Sequence, residues 1–463
     1  MFYKGVSEEK TLAYVAPFRG LHYNPEKIAR LEDVVTPPYD VIPPLEREAF
    51  AARHPYNMVH LILPQPRPGD DQFQNRYTRA AALFRVWQRQ EILVRDPDPA
   101  FYYWETDFQI EGKTHTRTGF AALVRLEPLT GGVIRPHEQT FSAAKADRLE
   151  LLKNAQANFS PIFSLFPDPH HRILEALRRG GPREPLMDFK DVGGYVQRLF
   201  RVTAPETLQE VHRAMAEMPL FIADGHHRYE TSLNYQKFLK KRYPQASASA
   251  PFNYTLMYLA NIFDPDLVIL MAHRLLTGPR VKHLEEQGFL EKLGEYFEVA
   301  RLPFAEAPEG TGAAWLQQSL METAPQETAF ILLGFGNQAW RLKLRERVRQ
   351  NLLARQMHPA LAKLDVAVLN YLIFEKILGI DAKAQDDHEA CKYNSKMEEV
   401  ISAVKGGEAS LAFILNPTRI QQVQEVASAG LIMPRKSTYF YPKVMTGLVL
   451  NPINVEEEVV IPE

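Results

Sequence analysis

The stretch that decides the fold of this chain is Pro219-Leu-Phe-Ile-Ala-Asp-Gly-His-His-Arg-Tyr-Glu-Thr-Ser-Leu233. Its apolar run over residues 220–223 predicts a buried strand, Asp224 and Gly225 predict a turn, and a helix is expected to begin at His226. Backbone N–H groups and the helix dipole at such a helix start favour an anion. Arg228 adds a planar donor fork that suits phosphate oxygens. The stretch therefore predicts a phosphate-binding loop.

Two other roles for this loop stay open at the level of sequence. In the simpler one, Asp224 only caps the helix and the two histidines pack on the surface. In the other, Asp224 and the histidines bind a metal. Adjacent histidines at a helix start point about 100° apart, and the helical zinc spacing of His at i and i+4 is absent. Mg²⁺ bound by Asp224 and phosphate oxygens is the metal we expect, because Mg²⁺ prefers a few carboxylates plus phosphates.

Composition excludes several classes of protein. The 463 residues are enough for two or three domains, and 45% apolar with 24% charged residues is ordinary for a globular protein. A net charge of −2 gives no general attraction to nucleic acid or membranes. Cys391 is the only cysteine, which excludes internal disulfides and suits a reducing compartment. No signal peptide or membrane helix is expected, so we predict a cytoplasmic protein without nucleic-acid or membrane partners.

Hydrophobic patterns along the chain predict an α+β fold, because strands alternate with helices and some form sequential hairpins. Residues 44–54 are expected to be helical, and the alternation over residues 58–63 predicts a strand. Residues 100–110 and 115–125 are expected to pair as a hairpin.

Three segments are expected to organise the chain. Residues 1–280 form the core that carries the loop, and residues 281–405 form a mainly helical lobe with one hairpin near residues 328–343. Residues 406–463 are expected to return to the core with a further strand.

A second polar cluster precedes the loop in sequence and contains His137, Glu138, Lys145, Asp147 and Arg148. One interpretation is a solvated helix start with local ion pairs. The other is a catalytic arm, in which Glu138 or His137 is the general base and Lys145 or Arg148 neutralises phosphate charge.

Other polar residues are candidates for substrate contact. Tyr39 and Asp40 follow two prolines, so Asp40 is either a turn residue or a fixed carboxylate near a ligand. His273 and Arg274 end a predicted strand and either cap it or contact substrate. Lys436 begins an aromatic stretch that either packs on the surface or supplies cations to an anionic ligand.

Several motifs together resemble the DUF1015 family over nearly the whole chain. They are Ala16-Pro-Phe-Arg-Gly-Leu, Val35-Thr-Pro-Pro-Tyr-Asp-Val-Ile, Arg135-Pro-His-Glu-Gln-Thr, Ala223-Asp-Gly-His-His-Arg-Tyr-Glu-Thr, Asn416-Pro-Thr-Arg and Met433-Pro-Arg-Lys-Ser-Thr. The loop also resembles, over a short stretch, the phosphate-binding loop of the ParB/sulfiredoxin fold, which includes free serine kinases. No counterpart of the sulfiredoxin cysteine is present, and residues 280–400 show no basic recognition helix, so sulfiredoxin chemistry and DNA partitioning are disfavoured.

The second resemblance implies a ParB/sulfiredoxin-like core in which Gly225, His227 and Arg228 bind nucleotide phosphates of ATP or ADP. Phosphoryl transfer to a small metabolite, such as a free amino acid like serine, is the function it implies. In this interpretation Asp224 holds Mg²⁺ or orients His226, and Lys145, Arg148 and Lys436 balance charge. A phosphatase, a nucleotide sensor without catalysis and a metal hydrolase remain alternatives.

Overall fold

The computed structural model describes residues 13–110, 112–129, 132–138, 142–306, 310–323, 327–381, 384 and 390–462. It divides into two compact units. Unit 1 comprises Met1–Pro136, Thr140–Leu267 and Pro442–Glu463, and unit 2 comprises His137–Gln139 and Val268–Tyr441. These limits differ from the boundaries expected at residues 280 and 405.

Both units contain β-strands. In chain order they are β1 (Val15–Ala16), β2 (Leu21–Tyr23), β3 (Leu93–Arg95), β4 (Phe101–Ile110), β5 (Lys113–Arg125), β6 (Ile134–Arg135), β7 (Ala157–Asn158), β8 (Ile162–Phe166), β9 (Met187–Lys190), β10 (Val196–Val202), β11 (Leu220–Asp224), β12 (Tyr254–Asn261), β13 (Val268–Leu270), β14 (His273–Leu276), β15 (Phe297–Leu302), β16 (Ala329–Gly334), β17 (Gln338–Leu344), β18 (Cys391–Asn394), β19 (Leu411–Leu415), β20 (Tyr439–Tyr441) and β21 (Asn451–Pro452).

Helices cover or connect these strands. They are α1 (Pro44–Arg53), α2 (Val59–Ile62), α3 (Arg76–Arg89), α4 (Ser142–Ala155), α5 (Arg172–Gly180), α6 (Pro205–Ala216), α7 (His226–Arg242), α8 (Pro279–Lys282), α9 (Glu286–Tyr296), α10 (Gly312–Met321), α11 (Glu346–Val348), α12 (Ala354–Gln356), α13 (Pro359–Ala362), α14 (Asp365–Val368), α15 (Met397–Lys405) and α16 (Ile420–Ser428). Two π-helical segments are Arg349–Leu353 and Leu369–Ile377. No helix among the described residues is both long enough and apolar enough to cross a bilayer.

Unit 1 is built on a mixed nine-stranded sheet with the order β6-β11-β8-β12-β5-β4-β10-β9, and β1 pairs with β5. The predicted hairpin is confirmed as β4 and β5, which pair antiparallel from Tyr102 with Ala121 to Ile110 with Lys113. Strand β11 lies parallel to β6 and antiparallel to β8. Helix α7 is fixed to this unit by the buried Tyr229, whose hydroxyl donates to the Glu127 carbonyl at 2.8 Å. The start of α7 is therefore held firmly beside the sheet.

Unit 2 is built on a six-stranded antiparallel sheet with the order β15-β17-β16-β19-β14-β18. The expected hairpin near residues 328–343 is confirmed as β16 and β17. Residues 281–405 contain helices α9 to α15 and the two π-helical segments, and β15 and β18 in the same range add two further strands to the sheet. The fold is thus mixed α/β with strands in both units.

The prediction of a strand over residues 58–63 is wrong, because Val59–Ile62 forms the helix α2. Asn57 explains the difference. Its side-chain oxygen accepts from the Val59 N–H at 2.9 Å, and its amide donates to the Asp33 carbonyl at 2.7 Å. This local cap favours a helical turn and overrides the alternating pattern.

Candidate functional site in unit 1

The predicted strand, turn and helix are confirmed as β11, Gly225 and α7. The register between β11 and β8 shifts between Ile222 and Asp224. A shift of this kind re-aims the side chains at a strand end. Gly225 then adopts φ +91°, a left-handed conformation that favours glycine, and no side chain caps the helix there. The N-cap residue of α7 is therefore Gly225 and not Asp224.

A second constraint at Gly225 comes from Arg228. A Cβ atom added at Gly225 would lie 2.9 Å from the Arg228 guanidinium carbon. The arginine side chain thus folds back over the glycine. The turn needs glycine both for its backbone conformation and for this close approach.

The centre of the site is Asp224 with two cations. Arg228 Nη2 donates to one Asp224 oxygen at 2.5 Å, and the Lys443 ammonium donates to the other. Arg228 Nη1 also donates to the Pro161 carbonyl. These side chains are only 11–14% exposed, so water screens the charges far less than in a surface ion pair. One carboxylate therefore holds two largely desolvated cations at a helix start.

Lys443 is brought to Asp224 by Arg117 of β5. The buried guanidinium of Arg117 donates to the Pro442 carbonyl and lies 5.1 Å and 5.3 Å from the ring centroids of Phe163 and Tyr258. Pro442 directly precedes Lys443. Arg117 therefore fixes the segment that supplies the second cation.

A small cavity of about 70 Å³ lies beside Arg228. Tyr39 and Arg148 line it, with the Arg148 guanidinium 4.3 Å from the Tyr39 ring centroid. Burial, and then the Asp40 charge, raise the pKa of Tyr39 to about 12 against the lowering effect of Arg228. The Tyr39 hydroxyl is therefore protonated and able to donate at neutral pH. Thr231, which also lines the cavity, is 2% exposed, and its hydroxyl has no hydrogen-bond partner among the described residues.

The two cations predicted on the α4 side are engaged in ion pairs. Lys145 donates to Glu230 at 2.6 Å. Arg148 donates to Asp147 and, at 2.6 Å, to the Ile62 carbonyl. Arg148 still lines the cavity, whereas Lys145 is committed to the side of α7.

His226 is buried, His227 is partly buried and Asp40 is exposed. Of these three, none lines the cavity beside Arg228. A contact of Asp40 with a ligand stays a prediction.

Mg²⁺ does not fit Asp224 as the structure has it, because both carboxylate oxygens already accept from cations. The described residues also contain no group of three or more His, Cys, Asp and Glu side chains arranged to hold a metal.

Unit 2 contains the predicted site residues His137, Glu138 and Lys436. The segment of His137 and Glu138 contacts the segment of Lys436. His137 is fully buried, with its Nε2 3.1 Å from the Thr438 hydroxyl. Glu138 accepts from the Lys436 N–H at 3.2 Å, and its backbone forms a bridge with Met433. These contacts fasten the segment 433–438, while the Lys436 side chain is exposed.

His273 and Arg274 also lie in unit 2, within its sheet. His273 is 5% exposed and its Nδ1 accepts from the Leu415 N–H at 3.3 Å, while burial lowers its pKa to about 4. Arg274 is fully buried and donates to the carbonyls of Ala272, Arg435 and Lys436. Both side chains serve the core of unit 2, and their contact with substrate stays a prediction.

Sequence reasoning missed Arg117 and Thr231 as members of this region. Lys443 ends the aromatic stretch that begins at Lys436, which the sequence offered as a source of cations for an anionic ligand, and the role of Lys436 stays a prediction. Arg117 sits in an alternating strand pattern, and no sequence signal marks its contact with Pro442.

The sequence of the chain matches, over residues 15–367, the family model described as "Protein of unknown function (DUF1015)". No curated protein matches. Among solved structures, a free serine kinase in complex with AMP shares 13% identity and a TM-score of 0.36, covering 73% of this chain and 93% of that chain. A conserved hypothetical protein from Pyrococcus furiosus shares 14% identity and a TM-score of 0.33, and the match covers 69% of this chain and 89% of that chain. C-terminally truncated SbnI from Staphylococcus aureus shares 10% identity and a TM-score of 0.32, and the match covers 70% of this chain and 84% of that chain.

Proposed function

Since the chain belongs to the DUF1015 family, whose description states no activity, we propose from the geometry that it is a phosphoryl-transfer enzyme acting on a small metabolite. The phosphate groups bind at Gly225, His227 and Arg228. The observation that carries the proposal is the convergence of Arg228 and Lys443 on one carboxylate at the start of α7.

Asp224 occupies the position that a phosphate group takes in this proposal. Arg228 and Lys443 each donate to a different carboxylate oxygen of Asp224. The distance between these two oxygens is close to the distance between two oxygens of a phosphate group. A phosphate dianion carries more charge than a carboxylate and also gains the first N–H groups and the dipole of the 17-residue helix α7. Phosphate therefore competes with Asp224 for the two cations.

The transfer step follows from this exchange. An acceptor hydroxyl attacks the terminal phosphorus of ATP or ADP, a new oxygen–phosphorus bond forms, and the bond to the bridging oxygen breaks. Arg228 and Lys443 neutralise the charge on the transferred group. Asp224, released from the cations, takes the proton of the acceptor hydroxyl. Glu138 and His137, the bases expected from sequence, stay predictions.

The cavity beside Arg228 favours a small acceptor. Its volume of about 70 Å³ is far below the roughly 300–1,000 Å³ of pockets that enclose larger ligands. It has room for a short polar group, and the Tyr39 and Thr231 hydroxyls are available to that group. A free amino acid such as serine, the acceptor implied by the sequence resemblance, is of this size. The base and sugar of a nucleotide lie outside this cavity.

Hydrolysis of a small phosphoester uses the same residues with water as the nucleophile. A nucleotide sensor uses them for binding alone. Turnover separates these functions.

The first experiment is a thermal-shift screen of the full chain with nucleotides and phosphorylated metabolites, followed by phosphorus NMR with a panel of hydroxyl acceptors. A ligand at 100 times its Kd raises stability by about 2.7 kcal/mol. Transfer of phosphate to an acceptor supports the proposal. Release of inorganic phosphate without transfer favours the hydrolase, and binding without turnover favours the sensor. No stabilisation by any phosphate compound contradicts all three.

A further inference from the structure

Unit 2 contains a cavity of about 310 Å³ at the start of α16. This is at the lower end of the roughly 300–1,000 Å³ typical of small-molecule pockets. Residues 416–419, the Asn-Pro-Thr-Arg motif that the proposed function does not use, form one wall. The charged side chains around the cavity are those of Glu327, Lys363, Asp365 and Arg419.

Asp365, the first residue of α14, lines the cavity and is partly buried. The Asn416 amide donates to its carboxyl oxygen at 3.4 Å. Burial raises the pKa of Asp365 to about 7, against hydrogen bonds from Asn416 and Thr328 and the charges of Arg349 and Arg419. α14 continues directly into the π-helical segment Leu369–Ile377. Such segments occur frequently at functional sites.

Two cations, Lys363 and Arg419, also line the cavity. Arg419 is the exposed N-cap residue of α16, a helix of nine residues. Lys363 is also exposed, and it pairs with Glu425 at 2.9 Å. Glu327 pairs with Lys343 at 2.8 Å. The cavity is therefore lined both by a partly buried acid and by an arginine at a helix N-terminus.

We propose that this cavity binds a small zwitterion, a metabolite that carries an ammonium and a carboxylate a few bonds apart, as a free amino acid does. Asp365 receives the ammonium, and Arg419 with the first N–H groups of α16 receives the carboxylate. Two acidic and two basic side chains line the cavity, so a ligand of zero net charge is the best match. This site uses residues of unit 2 alone and goes beyond the function proposed for unit 1.

The zwitterion proposal predicts a specific pH dependence. An ammonium next to Asp365 favours its ionised form, so binding releases a proton where the free protein has Asp365 protonated. With a pKa of about 7, affinity is expected to be about tenfold weaker near pH 6 than near pH 8. A plain anion beside Asp365 behaves in the opposite way, because protonation of Asp365 removes a repulsive charge.

The test is isothermal titration of the full chain and of Arg419→Ala, because Arg419 lines the unit 2 cavity alone and its loss leaves the unit 1 cavity unchanged. The probes are free L-amino acids, with ethylamine and propionate as analogues that each lack one charged group. We expect at least one amino acid to bind, neither analogue to bind comparably, and affinity to fall towards pH 6. Loss of unit 1 function has no bearing on this result, so the two proposals fail independently.

Variants complete the test. Arg419→Ala, at an exposed position, should weaken amino-acid binding at least tenfold, and Asp365→Asn should weaken it and abolish its pH dependence. The exposed Arg355→Ala is the matched control and should bind as the parent chain does. Absence of amino-acid binding at both pH values, binding that survives Arg419→Ala, or propionate binding that strengthens towards pH 6 would overturn the proposal.

Discussion

Two His-Arg dipeptides in this chain look alike in sequence and differ completely in structure. His227-Arg228 opens α7 after a glycine turn, and the Arg228 side chain contacts a carboxylate and lines a cavity. His273-Arg274 opens β14, and Arg274 is fully buried with three backbone carbonyls as acceptors. The same dipeptide therefore forms a candidate anion site in unit 1 and a structural anchor in unit 2.

The difference arises from the backbone on which each dipeptide sits. A helix start leaves N–H groups and side chains directed towards a ligand position. A central strand engages its backbone in a sheet, and burial then requires that every polar side-chain group finds a partner within the protein. The account thus predicts that Arg274 governs stability and Arg228 governs anion binding, and each of the following measurements tests one side of this contrast.

The largest effect is expected for Arg274→Ala. The substitution leaves a cavity in the core of unit 2 and removes the donors of three carbonyls, so the free energy of unfolding should fall by about 3–5 kcal/mol. Urea unfolding measures this loss. Arg301→Ala, at an exposed position of β15 in the same sheet, should change stability by less than about 0.5 kcal/mol. Equal effects of the two substitutions would show that Arg274 is not an anchor.

The neighbouring His273 should make unit 2 sensitive to acid. Its pKa falls from 6.5 to about 4 on burial, so the unfolded state binds more protons between these pH values. The stability that neutral His273 contributes is present above pH 6.5 and is lost as pH falls towards 4, by up to about 3 kcal/mol. Urea unfolding at several pH values should show a weaker acid dependence for His273→Gln. An unchanged dependence would contradict the burial of a neutral imidazole.

Gly225→Ala tests the turn in unit 1. The positive φ angle makes Ala unfavourable, and the new Cβ atom pushes Arg228 away from Asp224 and Pro161, so stability should fall by about 1–3 kcal/mol. Gly430→Ala is the matched control, because Gly430 also has positive φ but nothing within 4 Å of an added Cβ. Anion affinity should fall only for Gly225→Ala. Identical losses for both variants would mean that the contact with Arg228 is unimportant.

A smaller effect is expected for Arg117→Met. Methionine keeps the apolar contact with the two rings but loses the hydrogen bond to the Pro442 carbonyl, so Lys443 is held less firmly. Phosphate affinity should fall about 2- to 10-fold, and Arg117→Lys should recover part of it. An affinity that does not change in Arg117→Met would separate Arg117 from the site.

Sequence reasoning located the centre of the candidate site because its determinants are local. A short apolar run, an Asp-Gly turn and a polar helix start lie within a few residues, and their geometry follows from backbone preferences. Contacts with residues from distant segments of the chain could not be predicted from the sequence. Lys443 meets Asp224 only because Arg117 holds Pro442, and the core role of Arg274 depends on carbonyls of residues 435 and 436. The sheet of unit 2 was underestimated for the same reason, since β15 and β18 are stabilised by pairing with remote strands.

The central claim is that Arg228 and Lys443 bind phosphate, and isothermal titration of ATP and inorganic phosphate tests it most directly. Removing one charged hydrogen-bond donor costs about 1.5–3 kcal/mol, so Arg228→Ala should weaken binding by about 10- to 100-fold. Arg198→Ala provides the control. It removes two ion pairs that Arg198 of β10 makes with Glu105 and Asp107. Strand β10 lies five strands away from β11 in the sheet order. The account predicts that only Arg228→Ala lowers affinity. Equal affinities in the parent chain, Arg228→Ala and Arg198→Ala would contradict it.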